Sequence, residues 1–523
     1  MTGGSAKTSF AVRGRLGDAA LALAVMFAFA RYYQMFPMDD GAFFLRYAEH
    51  LASGFGYRWN VGEVAPIGAS APLWPLLQAG LINLGLSARV ASLSLAFLGL
   101  FVGSTLLSST MRAVAGWPAA VSVALFVAAT AFILGPSMGG LETPLTIALL
   151  AASLAVLAAS WNRDSARDWC VFSVLAMGLV IQKVDLAPFA LGLLLAAGYD
   201  FRRKATWPSV AVAALLLGAF FGFMKLGTGD FLPLSLLRKF QDSTGLDGRN
   251  LPTMSRYWFV QNVFFDAEPA FLGNGRAAIT AMALLALPGW YRGEPRLLTF
   301  LAVGIIGQAV AYTVFPPTEP FIWYLSPSLL GMDILAAGAF LTPRPGARFS
   351  VPLVAMAALA CGAYALARAE PQRSWFVDNS ASVEADRAHA GQWVAAHTPG
   401  DFRVLTGFGN SAYYSNRWVY DQSRLNTDID LRLHLPEMVA AFEPEIVIYN
   451  PAGSHVSPRE YRAAFVNYRL IKVFSSAYEA KSANFYIVVL AREDVADRLK
   501  SEALEETNFH AEPSRRLWLT GSR

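Results

Sequence analysis

The sequence has little cysteine and little histidine. Its 523 residues include two cysteines and six histidines. The cysteines, Cys170 and Cys361, each lie inside an apolar run, so the sequence predicts no disulfide framework. Two cysteines and six scattered histidines also exclude a structural zinc site.

Charge is scarce as well. Charged residues make up 15% of the chain and apolar residues 55%. With a mean hydropathy of +0.39, this balance excludes an ordinary soluble protein of the same length. The net charge of +4 is too small to indicate a nucleic-acid partner. The composition therefore predicts a polytopic α-helical membrane protein.

The apolar runs predict about eleven membrane-spanning helices, because most of them approach the ~20 residues that cross a bilayer. They lie at 18–36, 89–110, 117–135, 142–161, 169–183, 185–200, 207–226, 276–291, 297–315, 323–341 and 349–368. Arginines and lysines gather in the loops on one side, which the positive-inside rule makes cytoplasmic. We expect an uncleaved first span, a cytoplasmic N-terminus and a tail outside.

After Arg368 the composition becomes that of a soluble protein. Short β-branched runs at 402–406, 446–450 and 484–490 predict strands, and 383–397 and 458–467 have helical patterns. The sequence thus predicts a transmembrane domain over 1–369 and an extracytoplasmic α/β domain over 370–523.

An acidic pair, Asp39 and Asp40, follows the first apolar run directly. Ionisable groups at a bilayer are costly and tend to mark substrate or ion pathways. The alternative is an interfacial helix, with Asp39 as its N-cap and Asp40 stabilised by the helix dipole. The stretches at 41–53 and 73–84 are amphipathic and suited to lie in the membrane interface with an aromatic face down.

The acidic pair begins a longer pattern between residues 38 and 75. Its members are Asp39, Asp40, Arg46, Tyr47, the glycines 54 and 56, Asn60 and Trp74. This pattern resembles the first extracytoplasmic loop of the GT-C superfamily of polyprenyl-phosphate-dependent glycosyltransferases. It is most similar to the branch of the mycobacterial arabinofuranosyltransferases.

The resemblance implies an inverting glycosyltransferase, for which arabinofuranose is one candidate sugar. It implies Asp39 as the general base and Asp40 in a supporting role, although which of the two is the base stays open. Arg46, Tyr47, Asn60 and Trp74 are implied to lie on the acceptor side or at an interface.

Further elements of the same branch recur in the same order, at 140–143, 183–185, 225–239 and 324–327. The candidate residues for binding the donor phosphate and sugar are Glu142, Lys183, Asp185, Lys225, Arg238, Lys239 and Tyr324. Each has an ordinary alternative: Glu142 as a first-turn acid, Lys225 as a snorkelling side chain, Arg238 and Lys239 as solvated charges. Lys183 stands where the branch has arginine, which removes a bidentate donor.

The segment 407–417, followed by 419–421, resembles the tail of the same branch. This likeness implies acceptor binding or an active-site lid. No protein-bound metal is predicted, although Asp39, Asp40 or Glu142 could hold a divalent cation together with phosphate oxygens.

The predicted partners are a polyprenyl-phosphate sugar, membrane lipids and a glycan, lipid or protein acceptor, in a bacterial inner membrane. The alternative function is a transporter or a flippase of cell-envelope precursors, in which charged residues and broken helices are common. A structural assembly scaffold is a third possibility, but it leaves the acidic pair unexplained.

Overall fold

The computed structural model describes residues 20, 23, 38–63, 67–115, 137–159, 164–231, 233–234, 258–265, 276–315, 322–341, 377–427, 433, 435–450, 463–474, 486–496 and 499. Within these ranges the chain is helical up to residue 341, and a sheet with helices follows residue 377. The predicted class is confirmed for a mostly helical chain with a C-terminal α/β part. The boundary between 369 and 370 lies outside the described residues and stays a prediction.

The described residues of the first part are mostly helical. The helices are α1 (Asp39–Ala52), α2 (Leu73–Asn83), α3 (Ala88–Ala115), α4 (Thr143–Ala158), α5 (Ala166–Gln182), α6 (Ala187–Ala197), α7 (Trp207–Thr228), α8 (Trp258–Phe264), α9 (Arg276–Gly293), α10 (Pro295–Val314) and α11 (Ile322–Leu341). A proline in the first turn starts α4, α6, α7 and α10, where its missing N–H costs no hydrogen bond.

Three described stretches are long and apolar enough to cross a membrane, namely Ala88–Val114, Lys204–Gly227 and Pro295–Val314. The predicted spans between 89 and 110, between 142 and 226, and between 276 and 341 correspond to α3 to α7 and α9 to α11. Those at 117–135 and 349–368 lie outside the described residues, as does nearly all of 18–36. The number of eleven spans therefore stays a prediction.

The C-terminal part is built on one mixed sheet. Its elements are α12 (Ala385–His397), β1 (Arg403–Thr406), α13 (Gly409–Ser415), β2 (Trp418–Asp421), α14 (Leu435–Phe442), β3 (Ile446–Tyr449), β4 (Tyr468–Phe474), β5 (Ile487–Arg492) and α15 (Glu493–Ala496). The strand order is β2-β1-β3-β5-β4. Strand β1 is parallel to β2 and β3, while β5 is antiparallel to β3 and β4.

The predicted strands at 402–406, 446–450 and 484–490 correspond to β1, β3 and β5, and the helical pattern at 383–397 corresponds to α12. Strand β4 has no counterpart among the predictions, because Arg469 and Lys472 interrupt its apolar pattern. The helical pattern at 458–467 lies mostly outside the described residues.

Helix α1 packs against α2 and against α13 of the C-terminal part. Its aromatic side chains Phe43, Phe44 and Tyr47 are buried against protein. The expectation that this helix rests its aromatic face in the membrane interface is therefore wrong. The C-terminal part covers the apolar face of this helix, so that face packs against protein.

The Arg46 side chain, in the middle of α1, connects the two parts of the chain. It is buried, and its guanidinium lies over the Trp59 ring, 4.7 Å from the centroid. On the loop side it donates to the Trp59 carbonyl oxygen at 2.8 Å and to Asn60 Oδ1 at 3.2 Å. On the C-terminal side it donates to the carbonyl oxygens of Ala412 at 2.6 Å and Arg417 at 2.7 Å. One cation thus satisfies acceptors from both parts of the chain.

Replacing Arg46 with methionine should weaken this connection, because it leaves several buried oxygens without a donor. We expect a loss of about 3 kcal/mol of stability, since hydrogen bonds to a charged group contribute about 1.5–3 kcal/mol each. The measurement is thermal unfolding of the detergent-purified protein, together with protease cleavage of the C-terminal part. The control is Arg58→Met, whose guanidinium donates to Glu63 O within the same loop. Equal unfolding midpoints for the two variants would contradict the prediction.

Candidate functional site

The acidic pair lies at the start of α1, against a glycine turn. Met38 is the N-cap and Asp39 the first helical residue, so the expectation that Asp39 caps the helix is wrong. The Met38 N–H donates to the Gly139 carbonyl oxygen at 2.8 Å. A Cβ atom at Gly41 would lie 2.1 Å from that same oxygen. The helix start and the turn therefore touch through backbone, which requires glycine at this contact.

Trp74 holds this turn from the other side. Its indole Nε1 donates to the Gly140 carbonyl oxygen at 2.8 Å, and the side chain is buried. Gly140 has φ of +95°, a conformation that favours glycine. Two motifs that are a hundred residues apart, around Asp39 and around Glu142, thus lie together.

The Asp39 carboxylate faces the C-terminal part. Its Oδ1 accepts the Asn410 N–H at 3.2 Å, and its Oδ2 lies 3.6 Å from Arg387 Nη1. The same Arg387 nitrogen lies 3.0 Å from Glu384 Oε1, and Asn410 Nδ2 donates to Glu384 Oε2 at 2.7 Å. The Arg387 guanidinium also lies over the Phe408 ring at 4.3 Å. We refer to Asp39, Glu384, Arg387 and Asn410 as the Asp39 cluster.

Burial favours the protonated form of both carboxyls in this cluster. It raises the pKa of Glu384 to about 7 and holds the pKa of Asp39 above its usual range, while the Arg387 charge and Asn410 act in the opposite direction. The Asp39 side chain is 23% exposed, whereas that of Glu384 is 4% exposed. Asp39 is therefore the reachable carboxylate of the two.

A second group of charges surrounds Lys183. Its ammonium lies 2.8 Å from Glu142 Oε1 and 5.0 Å from the centroid of the Tyr324 ring. Asp185 Oδ2 accepts the Tyr312 hydroxyl at 2.5 Å. We refer to this site as the Lys183 pocket; its lining residues are Glu142, Thr143, Thr146, Lys183, Asp185, Tyr324, Ser326 and Pro327.

The Lys183 pocket is narrow and carries more acid than base. Its volume of about 10 Å³ is close to that of one water, so it admits a single polar group rather than a whole sugar ring. Two carboxylates face one ammonium. Among the described residues, Asp185 Oδ1 and Ser326 Oγ are buried without a hydrogen-bond partner. The pocket can thus offer hydrogen bonds to a group that enters it.

Asp40 lies close to both sites. It lies within electrostatic range of Arg387 in the Asp39 cluster and of Tyr324 in the Lys183 pocket. Asp40 is therefore close enough to both sites to influence the charges in each of them.

Tyr47 and Asn60 bind the C-terminal part rather than facing open space. The Tyr47 hydroxyl donates to Asn426 Oδ1 at 3.0 Å and accepts the Gly68 N–H at 2.9 Å. The Asn60 amide donates to the Val419 carbonyl oxygen at 3.0 Å and accepts the Val419 N–H at 2.9 Å. Both side chains are buried, so they lie at an interface within the chain.

Of the basic residues predicted after α6, the structure describes Lys225. Lys225 is exposed at the end of α7, where it donates to the Gly229 carbonyl oxygen at 2.5 Å and lies over Phe231 at 5.3 Å. This geometry fits the snorkelling alternative. Arg238 and Lys239 lie outside the described residues.

Sequence reasoning missed Glu384, Arg387 and Asn410. Asn410 falls in the segment 407–417 that the sequence singles out, which was the one available signal. Glu384 and Arg387 belong to an ordinary helical pattern, and only the fold brings them to Asp39.

In the described part of the chain, no three or more His, Cys, Asp or Glu side chains are arranged to hold a metal ion. A divalent cation shared with donor phosphate oxygens needs fewer protein ligands. That option stays a prediction.

No protein-family model matches the sequence, and no curated protein matches it. Among solved structures, the chain is similar to the crystal structure of ArnT from Cupriavidus metallidurans bound to undecaprenyl phosphate. The TM-score is 0.58, the sequence identity is 13%, and the match covers 91% of this chain and 97% of that one. At this identity the likeness establishes a shared fold and no more.

Replacing Gly409 with alanine should disturb the Asp39 cluster. A Cβ atom there would lie 2.1 Å from the Asp39 carbonyl oxygen, so the segment carrying Asn410 must move away. We expect a loss of about 1–3 kcal/mol, as for other overpacked contacts, and a lower unfolding midpoint. The matched control is Gly400→Ala, whose Cβ would meet nothing within 4 Å. Equal midpoints for both variants would show that this contact is not as tight as described.

Proposed function

We propose that the chain is an integral-membrane glycosyltransferase that moves a sugar from a polyprenyl-phosphate donor to a glycan, lipid or protein acceptor. It works at the extracytoplasmic face of a bacterial inner membrane, and arabinofuranose is a candidate donor sugar. The observation that carries the proposal is Asp39, a partly exposed carboxylate with a raised pKa at the start of α1. The fold shared with a protein crystallised with undecaprenyl phosphate supports the choice of donor.

In this proposal Asp39 is the general base of a single displacement. The oxygen of an acceptor hydroxyl forms a bond to the anomeric carbon of the donor sugar, and the bond from that carbon to the phosphate oxygen breaks. The hydroxyl proton passes to the Asp39 carboxylate, and polyprenyl phosphate leaves. Attack from the face opposite the phosphate inverts the anomeric configuration. A base whose pKa is raised toward the working pH takes a proton more readily.

The Lys183 pocket is the proposed contact for the donor. Its ammonium, oriented by Glu142, can donate to a phosphate oxygen at the pocket mouth. Asp185 and Tyr324 can bind a sugar hydroxyl, which fits the narrow volume better than a ring does. Since the pocket already holds excess negative charge, the phosphate needs further cations. Arg238 and Lys239, with Lys225, remain the proposed source.

Asp40 is proposed to orient the donor, since it lies between the two sites. Arg46, Tyr47, Asn60 and Trp74 are proposed to act on the acceptor side indirectly. Arg46, Tyr47 and Asn60 fix the first loop against the C-terminal part, and Trp74 fixes it against the glycine turn at Gly140.

Replacing Asp39 with asparagine should abolish transfer while leaving the fold intact, because the amide keeps the shape but takes no proton. We expect a loss of about 10²–10⁴-fold, the usual contribution of a general base. The assay supplies short-chain polyprenyl-phosphate arabinose and hexose donors to the purified protein with an extract-derived acceptor pool. The matched control is Asp164→Asn, whose exposed carboxylate pairs with Arg203 at 3.3 Å.

The outcomes of this assay separate the candidate functions. Transfer at the wild-type rate by Asp39→Asn would remove Asp39 as the base and leave Asp40 to be tested. Failure of the wild-type protein to use any donor, with lipid flipping intact in vesicles, would favour the transporter or flippase instead.

Replacing Lys183 with glutamine should raise the KM for the donor about 10- to 100-fold, because one charge-assisted hydrogen bond contributes about 1.5–3 kcal/mol. Lys183→Arg keeps the charge beside Glu142 and should restore much of the affinity. Lys204→Gln, an exposed cation before α7, serves as the control. An unchanged donor KM in a folded Lys183→Gln protein would exclude the Lys183 pocket as the phosphate contact.

A further inference from the structure

We propose that Arg387, held in place by Glu384, positions the Asp39 carboxylate together with Asn410 and controls how readily that carboxylate takes up a proton. The inference rests on the proposed function, in which Asp39 is the base. It adds that the C-terminal part supplies positioning residues to a site on the first loop. Asn410 lies 371 residues further along the chain than Asp39.

Both oxygens of Asp39 are engaged from the C-terminal part. The Asn410 N–H reaches Oδ1 at 3.2 Å, and Arg387 Nη1 lies 3.6 Å from Oδ2. Two contacts on different oxygens fix the plane of a carboxylate better than either contact alone. The remaining lone pairs of Asp39 can then point in one direction, toward an incoming hydroxyl.

Glu384 links the two partners of Asp39. Its Oε1 lies 3.0 Å from Arg387 Nη1, and its Oε2 accepts from Asn410 Nδ2 at 2.7 Å. The side chain is too buried to meet a substrate. The Phe408 ring supports the guanidinium plane at 4.3 Å. Glu384 therefore acts on Asp39 only through these neighbours.

The charges of the cluster make the proton affinity of Asp39 adjustable. The charged groups in electrostatic range are Asp40 on its own helix and Arg387 and Glu384 on the elements packed against it. Removing the Arg387 cation should favour protonation of Asp39, whereas removing the Glu384 charge should oppose it. Two carboxylates that share one guanidinium titrate as a coupled pair.

A contact that served docking alone would have a different form. A docking pair needs one acid for each base, whereas Arg387 faces two carboxylates and lies further from the exposed one, Asp39, than from Glu384. A one-to-one pair minimises the cost of buried charge. The second acid, Glu384, is explained if the affinity of Asp39 for a proton has to be adjusted.

The test measures protonation of Asp39 directly, in the full-length protein. A carbodiimide reacts with protonated carboxyls, and mass spectrometry quantifies its labelling of Asp39 as a function of pH. The pH profile of sugar transfer is recorded in parallel. The variants are Arg387→Gln and Glu384→Gln. The control is Arg492→Gln in the same part of the chain, whose guanidinium pairs with Asp494 at 2.7 Å.

The labelling midpoint should move to higher pH in Arg387→Gln and to lower pH in Glu384→Gln, each by about one pH unit. Arg387→Lys, which keeps the charge, should return it toward the wild-type value. The acid limb of the transfer profile should follow both shifts. Arg492→Gln should change neither.

Labelling midpoints that stay at the wild-type pH in both variants would overturn the proposal, even if turnover falls. A purely structural contact would lower activity at every pH without moving the midpoint. If Arg387→Gln does not fold, the labelling midpoints of Glu384→Gln and Arg387→Lys still decide between control of Asp39 protonation and a purely structural contact. Opposite labelling shifts in a protein that transfers no sugar would leave the role of Arg387 standing and refute the proposed transferase.

Discussion

The buried Arg46 guanidinium is the contact on which the arrangement of the site depends. It satisfies carbonyl and amide oxygens of the first loop and carbonyl oxygens of the C-terminal part at once. Buried oxygens without a donor are costly, so the two surfaces are held in one register. Because α1 carries both Arg46 and Asp39, this register also brings Asp39 to Arg387. The contacts of the Arg46 side chain thus also determine where Asp39 lies.

Excess acid is the shared property of the two sites. Asp39 and Glu384 face Arg387, and Glu142 and Asp185 face Lys183. In the Asp39 cluster burial raises the pKa of Asp39, a carboxyl that stays partly exposed. In the Lys183 pocket the excess of acid leaves oxygen atoms able to accept hydrogen bonds from hydroxyl groups. A phosphate fits this electrostatic pattern only where additional cations accompany it.

The local sequence pattern was enough to predict those helices and strands that depend on residues close together in the chain. Apolar length predicted helices such as α3 and α10, and β-branched runs predicted β1, β3 and β5. The motif around Asp39 and Asp40 was also visible, as was the glycine turn before Glu142. Burial of α1 and the Asp39 cluster were not visible, because they depend on contacts with Glu384, Arg387 and Asn410. No periodicity links residues so far apart. Arg46 was predicted to lie on the acceptor side or at an interface, and its guanidinium donates to oxygens inside the protein.

The most direct test of the account is a structure of the protein with a polyprenyl-phosphate sugar bound. The account predicts the phosphate beside Lys183 and the anomeric carbon on the side of Asp39, with the Asp39 carboxylate still held by Arg387 and Asn410. A donor bound away from α1, or a closed contact that leaves no space for an acceptor hydroxyl in front of Asp39, would contradict it.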